Sequence, residues 1–247
     1  MAGFNFDLME DRRLRLGLIV LKSDETIENE FRQIIPGQCD LYHSRIPSQP
    51  EVTAETLMQM KADLPDAAAA IPASFGMDVI GYACTSGATI IGPEEIAARI
   101  RQTHPQAEVT NPVTAVVSAF RHLNCRRIGF VTPYIPDVSL AIRDFLEQSG
   151  LTIANLISFE QSSEAVVAGI SPQSVLAAVH AANNDDVDGV FVSCTNLNSF
   201  SIIDQAEAEI GKPVISSNLA LAWDMLRLAH ADWSDAPMPG RLFGRAH

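Results

Sequence analysis

The chain has few cysteines, little positive charge and no long hydrophobic run. Its four cysteines among 247 residues include no CxxC pair and no spacing typical of a zinc finger. No segment approaches the ~18 consecutive apolar residues of a membrane-spanning helix. The first residues, MAGFNFDLMEDRRLRLG, carry acids where a signal peptide needs an apolar core. We therefore predict a cytoplasmic protein with reduced thiols and no membrane association.

Positive charge is scarce enough to exclude one class of partner. The 17 lysines and arginines are outnumbered by 30 acids, which gives a formal net charge of −13. Because no basic stripe is present to neutralise phosphates, we expect no nucleic-acid partner. The six histidines show no metal-ligand spacing, and no GxGxxG nucleotide loop is found. We expect neither a metal nor a cofactor.

Short apolar runs alternate with helical patterns along the chain, which predicts an α/β protein with parallel sheets. The pattern also repeats. RLGLIV and RIGFVT place Gly17 and Gly129 112 residues apart, and two Cys-Thr motifs place Cys84 and Cys194 110 residues apart. Such offsets indicate an internal duplication. We predict two pseudo-symmetric Rossmann-like (flavodoxin-like) lobes with an active-site cleft between them. The predicted boundaries are residues 1–113 plus 218–247 for the N-terminal lobe and 114–217 for the C-terminal lobe.

The two Cys-Thr motifs carry the candidate chemistry. In DVIGYACTSG and DGVFVSCTN the cysteine lies six residues after an acid, at the end of an apolar run. Ligands of open parallel sheets bind beyond the carboxyl ends of the strands, so both thiols are expected in the cleft. The polar residues that follow them are expected to donate hydrogen bonds to a substrate carboxylate; they are Thr85, Ser86, Thr195 and Asn196. Cys39 and Cys125 are not part of such a motif and are expected to be structural.

Two thiols on opposite sides of a flat substrate are suited to three reactions. They can exchange a proton at an α-carbon (racemisation), add to a double bond that then rotates, or protonate the carbanion left by decarboxylation. A two-lobed protein that binds a small molecule without turnover is the alternative from another class. A metal site built from Cys84, Cys194, Asp24 and Glu164 is not favoured, because the spacing does not require one.

The motifs GYACTSG, VTPY and VSCTN resemble the aspartate/glutamate racemase superfamily, nearest to its maleate cis-trans isomerases and arylmalonate decarboxylases. The resemblance implies an isomerase that needs no cofactor, acts on a small carboxylic acid between two lobes, and forms a homo-oligomer, as members of the superfamily often do. By motif match, Cys84 and Cys194 are the catalytic thiols, and in maleate isomerases the first of them is the nucleophile. Tyr134 would direct its hydroxyl at a substrate carboxylate.

Two positions depart from the maleate isomerase pattern. By this resemblance, Asp24 and Glu164 stand at places where maleate isomerases carry an asparagine. An amide donates hydrogen bonds, whereas a carboxylate only accepts them. Two unit charges at ~4 Å repel by about 4 kcal/mol at an effective dielectric constant of 20, so these acids would disfavour a dianion. Our leading expectation is therefore a two-cysteine racemase of an amine-bearing acid. Maleate cis-trans isomerisation, arylmalonate-type decarboxylation and simple binding remain alternatives, and Asp24 could merely cap a helix.

Overall fold

The structure is a computed structural model that describes residues 3–8, 13–74, 76–234 and 236–244. Within these ranges strands alternate with helices, and every paired strand within the two sheets is parallel to its neighbours. The predicted α/β class with two parallel sheets is confirmed. None of the described helices is long and apolar enough to cross a bilayer.

Two four-stranded sheets have the same strand order. The strands of the first sheet are β1 (Leu14–Leu21), β2 (Cys39–Ile46), β3 (Val79–Ala83) and β4 (Glu108–Thr110). Those of the second are β5 (Arg127–Tyr134), β6 (Thr152–Gln161), β7 (Gly189–Val192) and β8 (Val214–Ser216). The spatial orders are β2-β1-β3-β4 and β6-β5-β7-β8. Each sheet therefore repeats one doubly wound pattern, as the sequence offsets predict.

Ten helices connect and flank the strands in the described part of the chain. They are α1 (Ile27–Ile34), α2 (Ala54–Ala69), α3 (Thr85–Ile91), α4 (Pro93–Ile100), α5 (Pro112–His122), α6 (Pro136–Gln148), α7 (Glu164–Ala168), α8 (Pro172–Ala182), α9 (Phe200–Ile210) and α10 (Ser217–Leu228). The last helix packs against the first sheet. The Thr110 hydroxyl donates to the Asp224 carboxylate at 2.6 Å, and a Cβ on Gly81 would come within 2.6 Å of Met225 Sδ. The predicted lobe boundaries themselves stay a prediction.

Three elements are absent from the sequence prediction. Strand β2 is an edge strand whose exposed positions carry polar side chains, so its sequence CDLYHSRI lacks the apolar run of the central strands. Helix α3 begins in TSG, whose small polar residues and glycine are typical of turns rather than helices; Cys84 caps the helix there. Helix α7 is a five-residue segment, too short for a helical period to appear in the sequence.

The carboxyl ends of the central strands bring the candidate residues together. Backbone hydrogen bonds also join the loop after β2 to the loop after β6, since Val52 N–H donates to Ser162 O at 2.9 Å and Glu164 N–H donates to Pro50 O at 3.1 Å. This contact crosses from one half of the chain to the other. It fixes the start of α7, because Glu164 is the first residue of that helix.

Candidate active site

Cys84 lies directly after β3 and caps helix α3. Its Sγ accepts the Gly87 backbone N–H at 3.2 Å and lies 3.6 Å from the Ser86 hydroxyl. The side chain is buried, with 2% of its surface exposed. An apolar strand followed at once by a short polar turn of helix holds the thiol at the strand end, with its sulfur hydrogen-bonded to a fixed N–H group.

Tyr82 is a site residue that the sequence reasoning missed. Its hydroxyl hydrogen-bonds with the Cys84 side chain and lies 3.9 Å from Met60 Sδ. A Cβ on Gly87 would lie 2.7 Å from the Tyr82 hydroxyl and 2.9 Å from Cys84 Sγ. Glycine is therefore required at position 87 for the thiol, the phenol and the helix to approach this closely. In the sequence, Tyr82 is simply the aromatic residue of a buried strand.

Cys194 lies two residues after β7 in an unusual backbone conformation. Its φ is +106°, a left-handed value that residues with side chains rarely adopt. The conformation is held by two hydrogen bonds, from Cys194 N–H to Ser217 Oγ at 3.0 Å and from Asn196 N–H to Cys194 Sγ at 3.3 Å. Ser217 also accepts the Thr85 hydroxyl at 2.8 Å. The loops that carry the two thiols are thus tied to the same serine, which the sequence reasoning did not identify.

Tyr134 ends β5 and is buried near the two thiols and Glu164. Its hydroxyl hydrogen-bonds with the Cys194 side chain, and the thiols and Glu164 all act on it electrostatically. Burial raises the pKa of Tyr134 well above its ordinary value. The structure therefore places the Tyr134 hydroxyl beside Cys194, and its contact with a substrate carboxylate stays a prediction.

Asp24 follows β1 and is 2% exposed. Its Oδ1 accepts the backbone N–H groups of Thr26 and Ile27, both at 2.9 Å. Asp24 therefore supports the start of α1, as the capping alternative predicts. Its other oxygen, Oδ2, is buried without a hydrogen-bond partner. The nearby Thr195 hydroxyl, which lowers the pKa of Asp24, donates instead to Ala83 O at 3.4 Å.

Glu164 begins α7 and is 5% exposed. Its Oε2 accepts the Asn196 side-chain amide at 2.9 Å. Asn196 also accepts the Glu25 N–H at 2.8 Å through Oδ1. The Asn196 side chain is therefore occupied by protein partners. In this geometry its amide holds Glu164 in place, and a donation to a substrate carboxylate stays a prediction. Thr85 is likewise occupied by Ser217.

Burial and the neighbouring acids keep both thiols protonated. Burial raises the pKa of Cys84 to about 12, the hydrogen bonds from Ser86 and Gly87 oppose the rise, and Glu164 and Asp24 add to it. Burial also raises the pKa of Cys194 well above its ordinary value, with Glu164 adding to the rise and Tyr134 opposing it. Burial raises the pKa of Asp24 and of Glu164 as well. The site is a cluster of proton-retaining groups in which a bound ligand can change each protonation state.

A cavity of about 520 Å³ opens beside these groups. Its lining includes Ser23, Glu25, Ser48, Met60 and Glu164. Met60 also touches the Tyr82 hydroxyl at the Cys84 side, so the cavity approaches the buried thiols. In the described part of the chain no group of three or more His, Cys, Asp or Glu side chains is arranged to hold a metal ion.

The chain folds into two similar α/β halves, and each half carries one thiol after its third strand, β3 or β7. This arrangement defines a cysteine-dependent enzyme of the maleate isomerase and arylmalonate decarboxylase type. The chain belongs to the arylmalonate decarboxylase family, whose model matches residues 17–243. It is 30% identical over 224 residues to a maleate isomerase of Nocardia farcinica, a match that covers 86% of this chain and 89% of the relative. It is 33% identical over 138 residues to the arylmalonate decarboxylase of Bordetella bronchiseptica, covering 54% and 57% of the two chains.

The fold is also that of a solved relative. The Nocardia farcinica maleate cis-trans isomerase, in a cysteine-to-serine mutant with a covalently bound succinylcysteine intermediate, superimposes with a TM-score of 0.86 at 27% identity. The match covers 96% of this chain and 100% of that one. The predicted family resemblance and the expectation of an isomerase are confirmed. The leading expectation of an amino-acid racemase is corrected, because the relatives support its cis-trans isomerase alternative better.

Proposed function

We propose that the chain catalyses cis-trans isomerisation of a small unsaturated carboxylic acid by adding the Cys84 thiolate to the double bond. The observation that carries the proposal is the arrangement of Cys84. Its sulfur accepts a backbone N–H at the first turn of a helix, which favours the thiolate, while a second buried thiol, Cys194, shares the site. The maleate isomerase activity of the relatives supports the same reaction class.

The reaction begins with deprotonation of Cys84 to solvent through the adjacent cavity. The thiolate then forms a C–S bond to one alkene carbon while the π bond breaks. The electron pair moves to the other alkene carbon, which takes a proton from Cys194. Rotation about the new single bond exchanges the cis and trans arrangements. Cys194 recovers the proton, the C–S bond breaks, and the trans alkene is released. Atoms and electrons balance without a co-reactant.

The first turn of α3 is the proposed site for one substrate carboxylate. Helix geometry leaves the first backbone N–H groups without partners inside the helix, and at this end they belong to Thr85 and Ser86. The Ser86 hydroxyl beside Cys84 adds a further donor. Tyr134, hydrogen-bonded to Cys194, keeps the second thiol aimed at the reacting carbons. These donors would stabilise the charge that develops during addition.

Nuclear magnetic resonance of a four-carbon cis-enoic acid panel tests the proposal. The purified protein is incubated with maleate, maleamate and (Z)-4-aminobut-2-enoate, and the vinyl protons are followed. Formation of a trans product from at least one acid, lost in Cys84→Ser, supports the proposal. Two results together would overturn the proposal. The vinyl signals of every acid stay unchanged, and the Cys84 thiol of the folded protein is not alkylated.

Decarboxylation is the second candidate, because the Bordetella bronchiseptica relative is an arylmalonate decarboxylase. It would require only Cys194 as the proton donor to the carbanion. Release of carbon dioxide from phenylmalonate by the Cys84→Ser variant would favour this reaction. The hydrogen-bonded arrangement of Cys84 is the reason to rank it second.

A further inference from the structure

The Cys194 loop, residues 193–199, runs from the end of β7 to the start of α9. Part of its support comes from helices that are distant in the sequence. Just before α1, the Thr26 hydroxyl donates to Asn196 O at 3.0 Å. At the start of α10, Ser217 Oγ accepts the Cys194 N–H at 3.0 Å. The position of this thiol therefore depends on contacts with α1 and α10.

Glu30 of α1 connects the two ends of the Cys194 loop. Its side chain is buried. Its Oε1 accepts the backbone N–H groups of Ser199 and Phe200 at the far end of the loop, both at 2.8 Å. Its Oε2 accepts the Asn218 amide at 2.7 Å, and the same amide nitrogen donates to Thr195 O, beside the thiol, at 2.8 Å. One carboxyl group thus holds one end of the loop directly and the other through an amide.

The Asn218 amide orients a peptide unit that also contacts the Cys194 sulfur. Thr195 O and the Asn196 N–H belong to one planar peptide bond and point in opposite directions. The carbonyl accepts the Asn218 amide, and the N–H donates to Cys194 Sγ at 3.3 Å. A peptide whose carbonyl accepts a hydrogen bond donates more strongly through its N–H. A hydrogen-bonded chain therefore runs from Glu30 through this peptide to the sulfur.

Two acceptors determine how the Asn218 amide is turned. Its nitrogen serves both Glu30 and Thr195, whereas its Oδ1 is buried and finds no partner among the residues that the structure describes. Buried polar atoms are almost always paired, so the amide keeps both donations although its oxygen stays unpaired. Asn111, which follows β4 much as Asn218 follows β8, instead caps α5 and accepts the Thr114 N–H at 3.1 Å. The arrangement at Asn218 is therefore not a general feature of the repeat.

We propose that Glu30 and Asn218 are positioning residues that support the Cys194 thiol during proton transfer. They orient the peptide between Thr195 and Asn196, whose N–H donates to the sulfur. The inference rests on the proposed isomerase function, in which Cys194 gives its proton to the substrate carbanion and later takes it back. While the proton is on the substrate the sulfur is an anion, and a fixed N–H donor stabilises it.

Glu30→Gln tests the chain with little change of shape. The new amide must keep its oxygen toward the N–H groups of Ser199 and Phe200, so its NH2 group faces the Asn218 amide. Because two donors then oppose each other, Asn218 turns over and Thr195 O loses its donor. Asn218→Ala removes the same donor directly and leaves the bonds from Glu30 to α9 in place.

Asp224→Asn is the matched control. Asp224 is a buried acid of α10, but its bonds go to the Thr110 hydroxyl and to Arg227 rather than to the Cys194 loop. For each variant, kcat, KM and the solvent deuterium isotope effect on kcat are measured by nuclear magnetic resonance with the best substrate of the cis-enoic acid panel. Circular dichroism reports the folded fraction, whose loss would lower kcat without changing the isotope effect.

Glu30→Gln and Asn218→Ala should each lower kcat by about tenfold or more with KM little changed, because a misplaced proton donor slows the chemical step. The isotope effect should rise, since proton transfer from Cys194 becomes the slow step. The double variant should be no slower than the slower single variant, because both changes break one chain. Asp224→Asn should keep the wild-type kcat and isotope effect.

A wild-type kcat in Asn218→Ala, or a fall in kcat with an unchanged isotope effect, would overturn the positioning role and leave the isomerase function standing. An equal loss in Asp224→Asn would overturn it as well. Asn218→Ala alone decides if Glu30→Gln does not fold. If the wild type isomerises no acid of the panel, the proposed function fails and this inference fails with it.

Discussion

Cys84 and Cys194 occupy matching ends of two sheets with the same strand order, but their surroundings differ. Cys84 lies at the start of a helix with an extended backbone, and a Gly87 N–H donates to its sulfur. Cys194 lies in a loop with φ of +106° and depends on Ser217, Asn196 and Tyr134 for its position. A duplicated scaffold has therefore produced two unlike thiols.

The difference indicates a division of roles. Burial raises the pKa of both thiols, but at Cys84 the donors Ser86 and Gly87 oppose the rise most strongly, and donors to the sulfur are what a nucleophilic thiol needs. Burial and the neighbouring Glu164 favour the neutral form of Cys194, which is what a proton donor needs. Strain at Cys194 is also typical of a residue whose position is determined by function. We infer that duplication supplied the two positions and that local loops then separated acid from nucleophile.

The largest expected effect is loss of turnover on removing either thiol. Cys84→Ser and Cys194→Ser should each lower kcat by roughly a thousandfold or more, because a hydroxyl is a much poorer nucleophile and a weaker acid than a thiol. Steady-state assays by nuclear magnetic resonance measure the loss. Cys125→Ser is the matched control, since Cys125 lies outside the site. Full activity of Cys84→Ser would contradict the assignment of Cys84 as the nucleophile.

Glu30 is a buried acid near the Cys194 loop, and its titration makes the free energy of unfolding depend on pH. Glu30 accepts the N–H groups of Ser199 and Phe200, both at 2.8 Å, and the Asn218 amide at 2.7 Å. Asn218 in turn donates to Thr195 O at 2.8 Å. Burial raises the pKa of Glu30 from 4.5 to about 7. The residue 112 positions later is the apolar Ile142, so the second half has no such group at that position.

The folded state therefore retains this proton where the unfolded state has lost it. Stability is highest below pH 4.5 for this group, falls as pH rises from 4.5 toward about 7, and then levels off. The fall is at most ~3 kcal/mol in the free energy of unfolding. Urea titrations at about pH 5 and pH 8 measure it. Glu30→Gln should reduce the slope whatever its absolute stability, with Asp24 and Glu164 accounting for what remains, and an undiminished slope would contradict the assignment.

Gly87→Ala tests the close packing on the Cys84 side. The added Cβ would lie 2.7 Å from the Tyr82 hydroxyl, 2.9 Å from Cys84 Sγ and 3.0 Å from Met60 Cε. These atoms must move, so we expect a loss of about 1–3 kcal/mol in the free energy of unfolding and a changed alkylation rate of Cys84. Gly169→Ala is the control, because its Cβ would have nearest atoms at 3.4 Å. Equal effects of the two changes would contradict the packing.

Removing the hydroxyl of Tyr134 or of Tyr82 should give the smallest effects on kcat, and the two effects should be unequal. Tyr134→Phe removes the hydroxyl beside the proton donor Cys194, and we expect kcat to fall by roughly tenfold, with KM little changed. Tyr82→Phe removes a hydroxyl beside Cys84 and should change kcat by only a few-fold, because the Gly87 N–H remains. Kinetic constants of the two variants measured side by side provide the readout. A larger effect of Tyr82→Phe would place the proton donor on the other side.

Much of the fold could be predicted because its signals are local. Buried strands such as Val79–Ala83 are short apolar runs, and helices such as Pro172–Ala182 begin with proline and end near polar residues. The two thiols were found because parallel strands place their carboxyl ends at one edge. Strand β2 was missed because an edge strand tolerates polar side chains on exposed positions.

The remaining site residues depend on contacts between distant parts of the chain. Ser217 and Glu30 bind loops 23 and 169 residues away, and no local pattern marks them. Asn196 shows the opposite case, in which a local pattern suggests a role but the tertiary contacts engage the side chain elsewhere. Its position beside Cys194 predicts a substrate donor, but Glu164 and Glu25 occupy its side chain. Residue type and spacing locate a site, whereas the assignment of each donor needs the tertiary structure.

The division of roles is tested most directly by trapping the covalent intermediate. The Cys194→Ser variant is incubated with each cis-enoic acid of the panel, and the intact protein and its peptides are analysed by mass spectrometry. We predict an adduct of one substrate mass on Cys84, and none in Cys84→Ser. An adduct on Cys194 in the Cys84→Ser variant, with Cys84 unmodified in Cys194→Ser, would contradict the assignment of Cys84 as the nucleophile.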